Sequence, residues 1–215
     1  LAMVSIYSYT PRNTAPELHQ VFGLLTRTGL RLDEMFLLGG GARDPDLLSP
    51  EREALNRGPK VKDFDIAIAR PHHIMDDTTA RILARLAVHS QKPLDINLSE
   101  DNQLRVQAQL AGRAVDLNFL SSVGPQQAVP HLLAYSMAGI SAIVTTGGGA
   151  TYVTDGYLKD KRNHTISAAG RHAEQPTARS YVLRIWEKYP DRTALTHSGK
   201  VLRTPLVRPT SARPA

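Results

Sequence analysis

Apolar and polar residues alternate most clearly in residues 61–69, "VKDFDIAIA", where Phe64, Ile66 and Ile68 fall on one side of an extended chain. Period-two alternation of this kind predicts a strand with one face against a core. Met35 to Leu38 predict a shorter strand, and residues 94–100 another. The stretch 104–120, "LRVQAQLAGRAVDLNFL", alternates on both sides of Ala111-Gly112 and predicts a hairpin. Helical spacing appears in Leu18, Val21, Phe22, Leu24 and Leu25, after polar caps and Pro16 and before Gly29. It recurs in residues 74–89 (Ile74, Ile82, Leu83, Leu86, Ala87) and in 174–189, where Tyr181, Val182, Ile185 and Trp186 turn inward. Residues 125–138 predict a helix that Gly139 interrupts, and "SAIVTT" with "TYVTDGYL" a second hairpin around Gly147-Gly148-Gly149. Asp155-Gly156 reads as another turn, and the proline-punctuated residues 45–60 as an irregular excursion with one helical turn. The order of elements indicates an α+β fold, a mixed β-sheet covered by helices on one face, with a basic C-terminal helix and a flexible tail.

Composition narrows the chemistry. With 215 residues and 41% apolar content the chain can bury one large core. It has no cysteine, which excludes disulfides, zinc–thiolate sites and a thiol nucleophile. No apolar run approaches the ~20 residues of a membrane span, and Leu-Ala-Met-Val-Ser lacks the basic start of a secretory signal. The expected location is cytoplasmic, with no membrane partner. Residues 159–215 hold 12 Lys/Arg against 4 Asp/Glu, while the rest of the chain is slightly acidic. A basic final quarter suits an anionic partner, although a solvated basic face would look the same.

Residues 36–44, "FLLGGGARD", leave an apolar strand through three glycines and reach an Arg-Asp pair. A glycine-rich turn entering a helix N-terminus offers backbone N–H groups to phosphate oxygens with no side chain in the way. Arg43 would add a charge-assisted contact. Asp63 and Asp65 are two apart on a strand, so their carboxylates share a face. Two close carboxylates repel unless a cation lies between them, and oxygen-only ligation suits Mg²⁺ or Mn²⁺. Asp116 interrupts an apolar strand between Val115 and Leu117 and would supply a third carboxylate. Three such acids can hold two divalent ions. Exposed acids on strand faces are the plain alternative for all three. His72-His73 read as solvent-facing, and Tyr152, Tyr157 and Tyr181 as packing residues before base-stacking ones.

The order Gly-Gly, Asp-x-Asp, Asp resembles the polymerase β-type nucleotidyltransferase superfamily. Gly39-Gly40-Gly41-Ala42-Arg43-Asp44 is similar to the Gly-Gly-x-Val-Arg-Asp motif of the CCA-adding tRNA nucleotidyltransferase and bacterial poly(A) polymerase head domain, and "KDFDIAIA" to its Lys-Asp-x-Asp strand. The resemblance implies transfer of a nucleotide from an NTP to a hydroxyl, with Asp63, Asp65 and Asp116 as catalytic, metal-binding residues. It places Gly39, Gly40 and Arg43 at the triphosphate, and Arg179 and Arg184 at the nucleotide through an echo of the Glu-Asp-x-x-Arg motif in "EQPTARSYVLR". Gln175 stands there for Asp, and "PQQAVPHLLAYSMAG" lacks the charges of the family's Arg-Arg-Asp-Phe-Thr segment.

The expected organisation is an N-terminal extension (1–12), a nucleotidyltransferase catalytic core (13–123), a helix and hairpin extension of the head domain (124–200) and a disordered basic tail (201–215). An RNA or tRNA 3′ end is one possible acceptor. A protein or a small molecule, as in a toxin- or effector-type enzyme, is another, and a non-catalytic binding domain on the same scaffold is the remaining alternative.

Overall fold

The computed structural model describes residues 4–48, 61–71, 76–100 and 103–206. Its centre is the antiparallel pair β2 (Met35–Leu38) and β3 (Asp63–Ala69), in which Leu38 lies opposite Asp65. β6 (Arg113–Leu120) runs parallel to β3 and sets Asp116 opposite Asp65. The predicted hairpin joins β6 to β5 (Leu104–Leu110), with Ala111 and Gly112 both at positive φ, as a tight hairpin turn requires. β4 (Asp95–Leu98) forms one edge. Beyond β2 lie β7 (Ile143–Thr146), β8 (Thr151–Thr154) and, at the other edge, β1 (Ile6–Tyr9). The eight strands run β1-β8-β7-β2-β3-β6-β5-β4.

Alternation decides what each face of this sheet carries. Phe64, Ile66 and Ile68 of β3, Val115, Leu117 and Phe119 of β6, and Leu104, Val106 and Leu110 of β5 are buried in one core. α1 (Leu18–Arg27) and α3 (Asp77–His89) pack against each other and feed that core with Val21, Phe22, Leu25, Ile82 and Leu86. Each such side chain contributes ~1.5–3 kcal/mol of burial, so the register is strongly fixed. The intervening residues Asp63, Asp65, Asp116, Asn118, Arg105 and Gln107 therefore share the other face, half-buried or exposed.

Four features differ from the sequence expectation. The glycine run is the first turn of α2 (Gly39–Leu47), which continues through Pro45. Buried bonds on both sides hold that proline in place. Asp46 accepts from Tyr9 Oη at 2.8 Å, from the Arg12 backbone N–H at 2.6 Å, from Lys161 at 2.9 Å and from Tyr157 Oη. Asp155-Gly156 opens α5 (Asp155–Asn163), capped by Thr154, whose hydroxyl accepts from the Tyr157 N–H. The N-terminal extension supplies β1, which pairs with β8. Val201–Arg203 is β11, and it completes a small sheet with β10 (Thr193–Leu195) and β9 (Thr165–Ser167). Residues 201–203 of the expected tail are thus strand. Residues 207–215, the excursion over 49–60 and His72-His73 lie outside the described residues. α4 (Pro125–Ala134), which ends before Gly139, packs on β7, β2 and β8 of the large sheet, and α6 (Pro176–Lys188) packs on β10 and β9 of the small one.

Candidate active site

β3 and β6 bring the three sequence-predicted acids together. One carboxylate oxygen from each of Asp63, Asp65 and Asp116 lies within 4.8 Å of the other two. This follows from strand geometry: Asp63 and Asp65 share a face by period two, and the parallel register puts Asp116 beside Asp65. Burial, then the charges of Asp63 and Asp116, push the Asp65 carboxyl up to about 6, and Arg105 opposes the shift. Such a cluster of oxygen donors can hold a metal ion.

Asp65 and Asp116 line a cleft of ≈ 450 Å³ together with Leu38, Gly39, Arg105 and Asn118. Gly39 has φ +61°, which a side chain would strain, and a Cβ there would sit 3.4 Å from Asp65 Oδ2. The next two glycines make room for packing. A Cβ on Gly40 would meet Asp44 Oδ2 at 2.9 Å, and one on Gly41 would meet Phe64 at 2.9 Å. The start of α2, whose first N–H groups have no partner within the helix, therefore abuts the acids.

The arginines are placed differently from expectation. Arg43 is buried and does not line the cleft. Its Nε donates to Asp44 Oδ1 at 2.9 Å and its Nη1 to Ser141 Oγ at 2.7 Å. Tyr189 Oη also donates to Asp44 Oδ1. Arg179 lines a separate recess with Gln175, His197 and Lys200. Arg184 lies 5.2 Å over the ring of Tyr181, and it is Tyr181 that reaches the cleft wall. Tyr157 is buried against Asp46, as a packing residue.

Sequence reasoning missed Arg105, Asn118, Tyr135 and Ser141, all of which line the cleft. Alternation in "LRVQAQL" could have found Arg105, since it shares a strand face with Gln107, the register partner of Asp116. Tyr135 is held from behind by Arg171, whose Nη1 donates to Tyr135 Oη at 2.9 Å. Among the described residues, buried Asn118 Oδ1 has no hydrogen-bond partner.

No protein-family model and no curated protein matches the sequence. Solved structures do. A CCA-adding enzyme solved with ATP superposes with a TM-score of 0.56 at 17% identity, over 86% of this chain and 40% of that one. The chain has a nucleotidyltransferase fold, shared with that CCA-adding enzyme. The Bacillus stearothermophilus CCA-adding enzyme in complex with CTP matches at 0.47 and 16% identity over 82% and 39% of the two chains. A tRNA-processing enzyme matches at 0.47 and 14%, over 77% and 41%. This nucleotidyltransferase-fold chain thus spans about two fifths of the length of the solved enzymes it matches. Among its described residues no helix is long and apolar enough to cross a membrane.

Proposed function

We propose that the chain is a metal-dependent nucleotidyltransferase, moving a nucleotide from an NTP such as ATP to a hydroxyl acceptor with release of pyrophosphate. The observation that carries this reading is the meeting of three carboxylates beside the glycine start of α2. The donor set fits a hard divalent cation: three carboxylates, no nitrogen or sulfur, and one proton affinity raised by burial and by its negative neighbours. Asp63, Asp65 and Asp116 would hold Mg²⁺ or Mn²⁺. Ions held there would supply charge neutralisation for the triphosphate and would lower the pKa of an attacking hydroxyl. The N–H groups of Gly39 and Gly40 donate to phosphate oxygens at the helix N-terminus. Tyr135 and Tyr181 present rings to the base or the acceptor. Most of the rate enhancement is positioning and electrostatics. Arg179 and Arg184, which do not line this cleft, carry no role in the reading.

An RNA or tRNA 3′ end is the first choice of acceptor, because the matching structure is a CCA-adding enzyme and residues 159–215 carry an excess of eight positive charges. Labelled ATP, CTP, GTP and UTP, incubated with Mg²⁺ and either total RNA or total protein, test both the transfer and the acceptor. Label enters RNA with the wild type and not with Asp63→Asn or Asp65→Asn. Label in protein alone would replace the acceptor, and equal labelling by the variants would remove the site assignment.

A further inference from the structure

Beyond Asp116 the cleft changes sign. Arg105 lies on β5, where it pairs in register with Asn118, while the next residue on that face, Gln107, pairs with Asp116. Arg105 is therefore the diagonal neighbour of Asp116 on the acidic face, a separation of roughly 7–8 Å at the backbone that a long side chain can span. Leu104 and Val106 on either side of it are fully buried. The strand is thus anchored, and Arg105 stays exposed at the wall of the cleft. A cation placed only to balance the acids would pair with one of them. Among the described residues Arg105 makes no ion pair and no side-chain hydrogen bond. Its charge still reaches Asp65, where it works against the rise of that carboxyl.

The order of strands across the sheet says which end of the reaction Arg105 serves. β2, β3, β6 and β5 are consecutive neighbours. Gly39 follows β2, and a Cβ there would sit 3.4 Å from Asp65 Oδ2. Arg105 is three strand spacings from β2, ~14 Å, and the acids stand between. In a displacement at phosphorus the attacking and leaving oxygens lie on opposite sides of that atom, roughly in line. With the triphosphate at the glycine turn, pyrophosphate leaves on the β2 side and the acceptor hydroxyl approaches from the β5 side. A guanidinium on that side recognises an acceptor that carries an anion close to its hydroxyl. A 3′-terminal nucleotide does so through its phosphodiester. A serine or tyrosine hydroxyl brings no such group of its own.

We propose that Arg105 binds the acceptor, holding the phosphodiester that adjoins a terminal 3′ hydroxyl of RNA, and so selects a nucleic-acid end over a protein side chain. The proposal rests on the nucleotidyltransferase reading above and assigns the β5 wall of the same cleft to the second substrate.

Fluorescence anisotropy with a short dye-labelled single-stranded RNA, in Mg²⁺ and without NTP, tests it. Arg105→Ala weakens binding by about tenfold or more, the scale of hydrogen bonds to a charged group, and Arg105→Lys recovers part of the loss. The slope of log affinity against log salt shrinks by ~0.7, as loss of one phosphate contact to a single strand requires. An RNA with an uncharged methylphosphonate at its last linkage binds the wild type as weakly as the natural RNA binds Arg105→Ala, and Arg105→Ala weakens it no further. In steady-state transfer, KM for the RNA rises in Arg105→Ala while KM for ATP stays within about twofold. Unchanged RNA affinity, or equal weakening of the natural and methylphosphonate RNAs, overturns the proposal. A rise confined to KM for ATP moves Arg105 to the NTP and overturns it as well. Calorimetry with ATP and Mg²⁺ is the separate check. A wild type that binds no ATP removes the nucleotidyltransferase reading, whereas the RNA comparison is read without NTP.

Discussion

Replacing Asp65 by Asn isolates the electrostatic cost of gathering three carboxylates. The rise of the Asp65 carboxyl from 3.8 to about 6 means that the folded protein binds its proton more tightly than the unfolded chain does. Stability from this group is therefore full below about pH 4, falls as pH rises toward 6, and stays low above it. The shift sets a ceiling of ~3 kcal/mol, and half-exposure of Asp65 with solvent screening reduces this to ~1–2 kcal/mol. For a chain of this size that is ~2–8 °C in Tm. In EDTA at pH 8, Asp65→Asn should melt that much higher than the wild type, and the difference should shrink as the pH is lowered to 4. Adding Mn²⁺ should raise the wild-type Tm and leave the variant unmoved, because binding to the native state alone stabilises it. Differential scanning fluorimetry across pH 4–8, with and without the ion, reads both effects. A metal-free Asp65→Asn that melts below the wild type at pH 8, or a difference that does not change with pH, would refute the electrostatic reasoning.

Two further outcomes follow from the packing. Gly39→Ala forces a side chain into a left-handed conformation at φ +61°, which should cost ~1–2 kcal/mol; thermal melting checks the loss, and ATP titration the accompanying weaker binding. Asp160 accepts from Ile140 N, Thr165 Oγ1, Ser167 N and Ser167 Oγ at 3.0, 2.6, 2.8 and 2.7 Å. Asp160→Asn turns an NH₂ toward at least one of these donors, and a drop of ~3 kcal/mol or more in urea unfolding is expected.

The central strands were legible from one-sided burial: β5 and β6 alternate strictly, β3 does so from Asp63 to Ile66 before Ala67 and Ala69 are buried as well, and a misplaced register would bury the acids. Asp116 was legible for the same reason, as an acid in a strand whose neighbours are core residues. That the glycines themselves form the first turn of α2, and that it runs on through Pro45, was not, because glycine and proline carry poor helix propensity and the helix stands on tertiary bonds to Asp44 and Asp46. Arg43 was expected at the triphosphate. Its burial depends on Ser141 and Tyr189, 98 and 145 or more residues away from the Arg43-Asp44 pair, which no local pattern reveals. The three-residue strands of the small sheet are too short to show a period. By contrast, Thr154 ahead of Asp155-Gly156 was a readable helix cap passed over in favour of the stronger turn signal of Asp-Gly.

Because β6 lies parallel to β3, the chain must leave the end of β3, make α3, β4 and β5, and return before Asp116 can meet Asp65. The first two acids are neighbours from the moment their strand forms, while the third arrives only with the last strand of that unit. The register that sets Val115 and Leu117 beside Phe64 and Ile66 is the one that sets Asp116 beside Asp65, so apolar contact on one face and crowding of charge on the other come together.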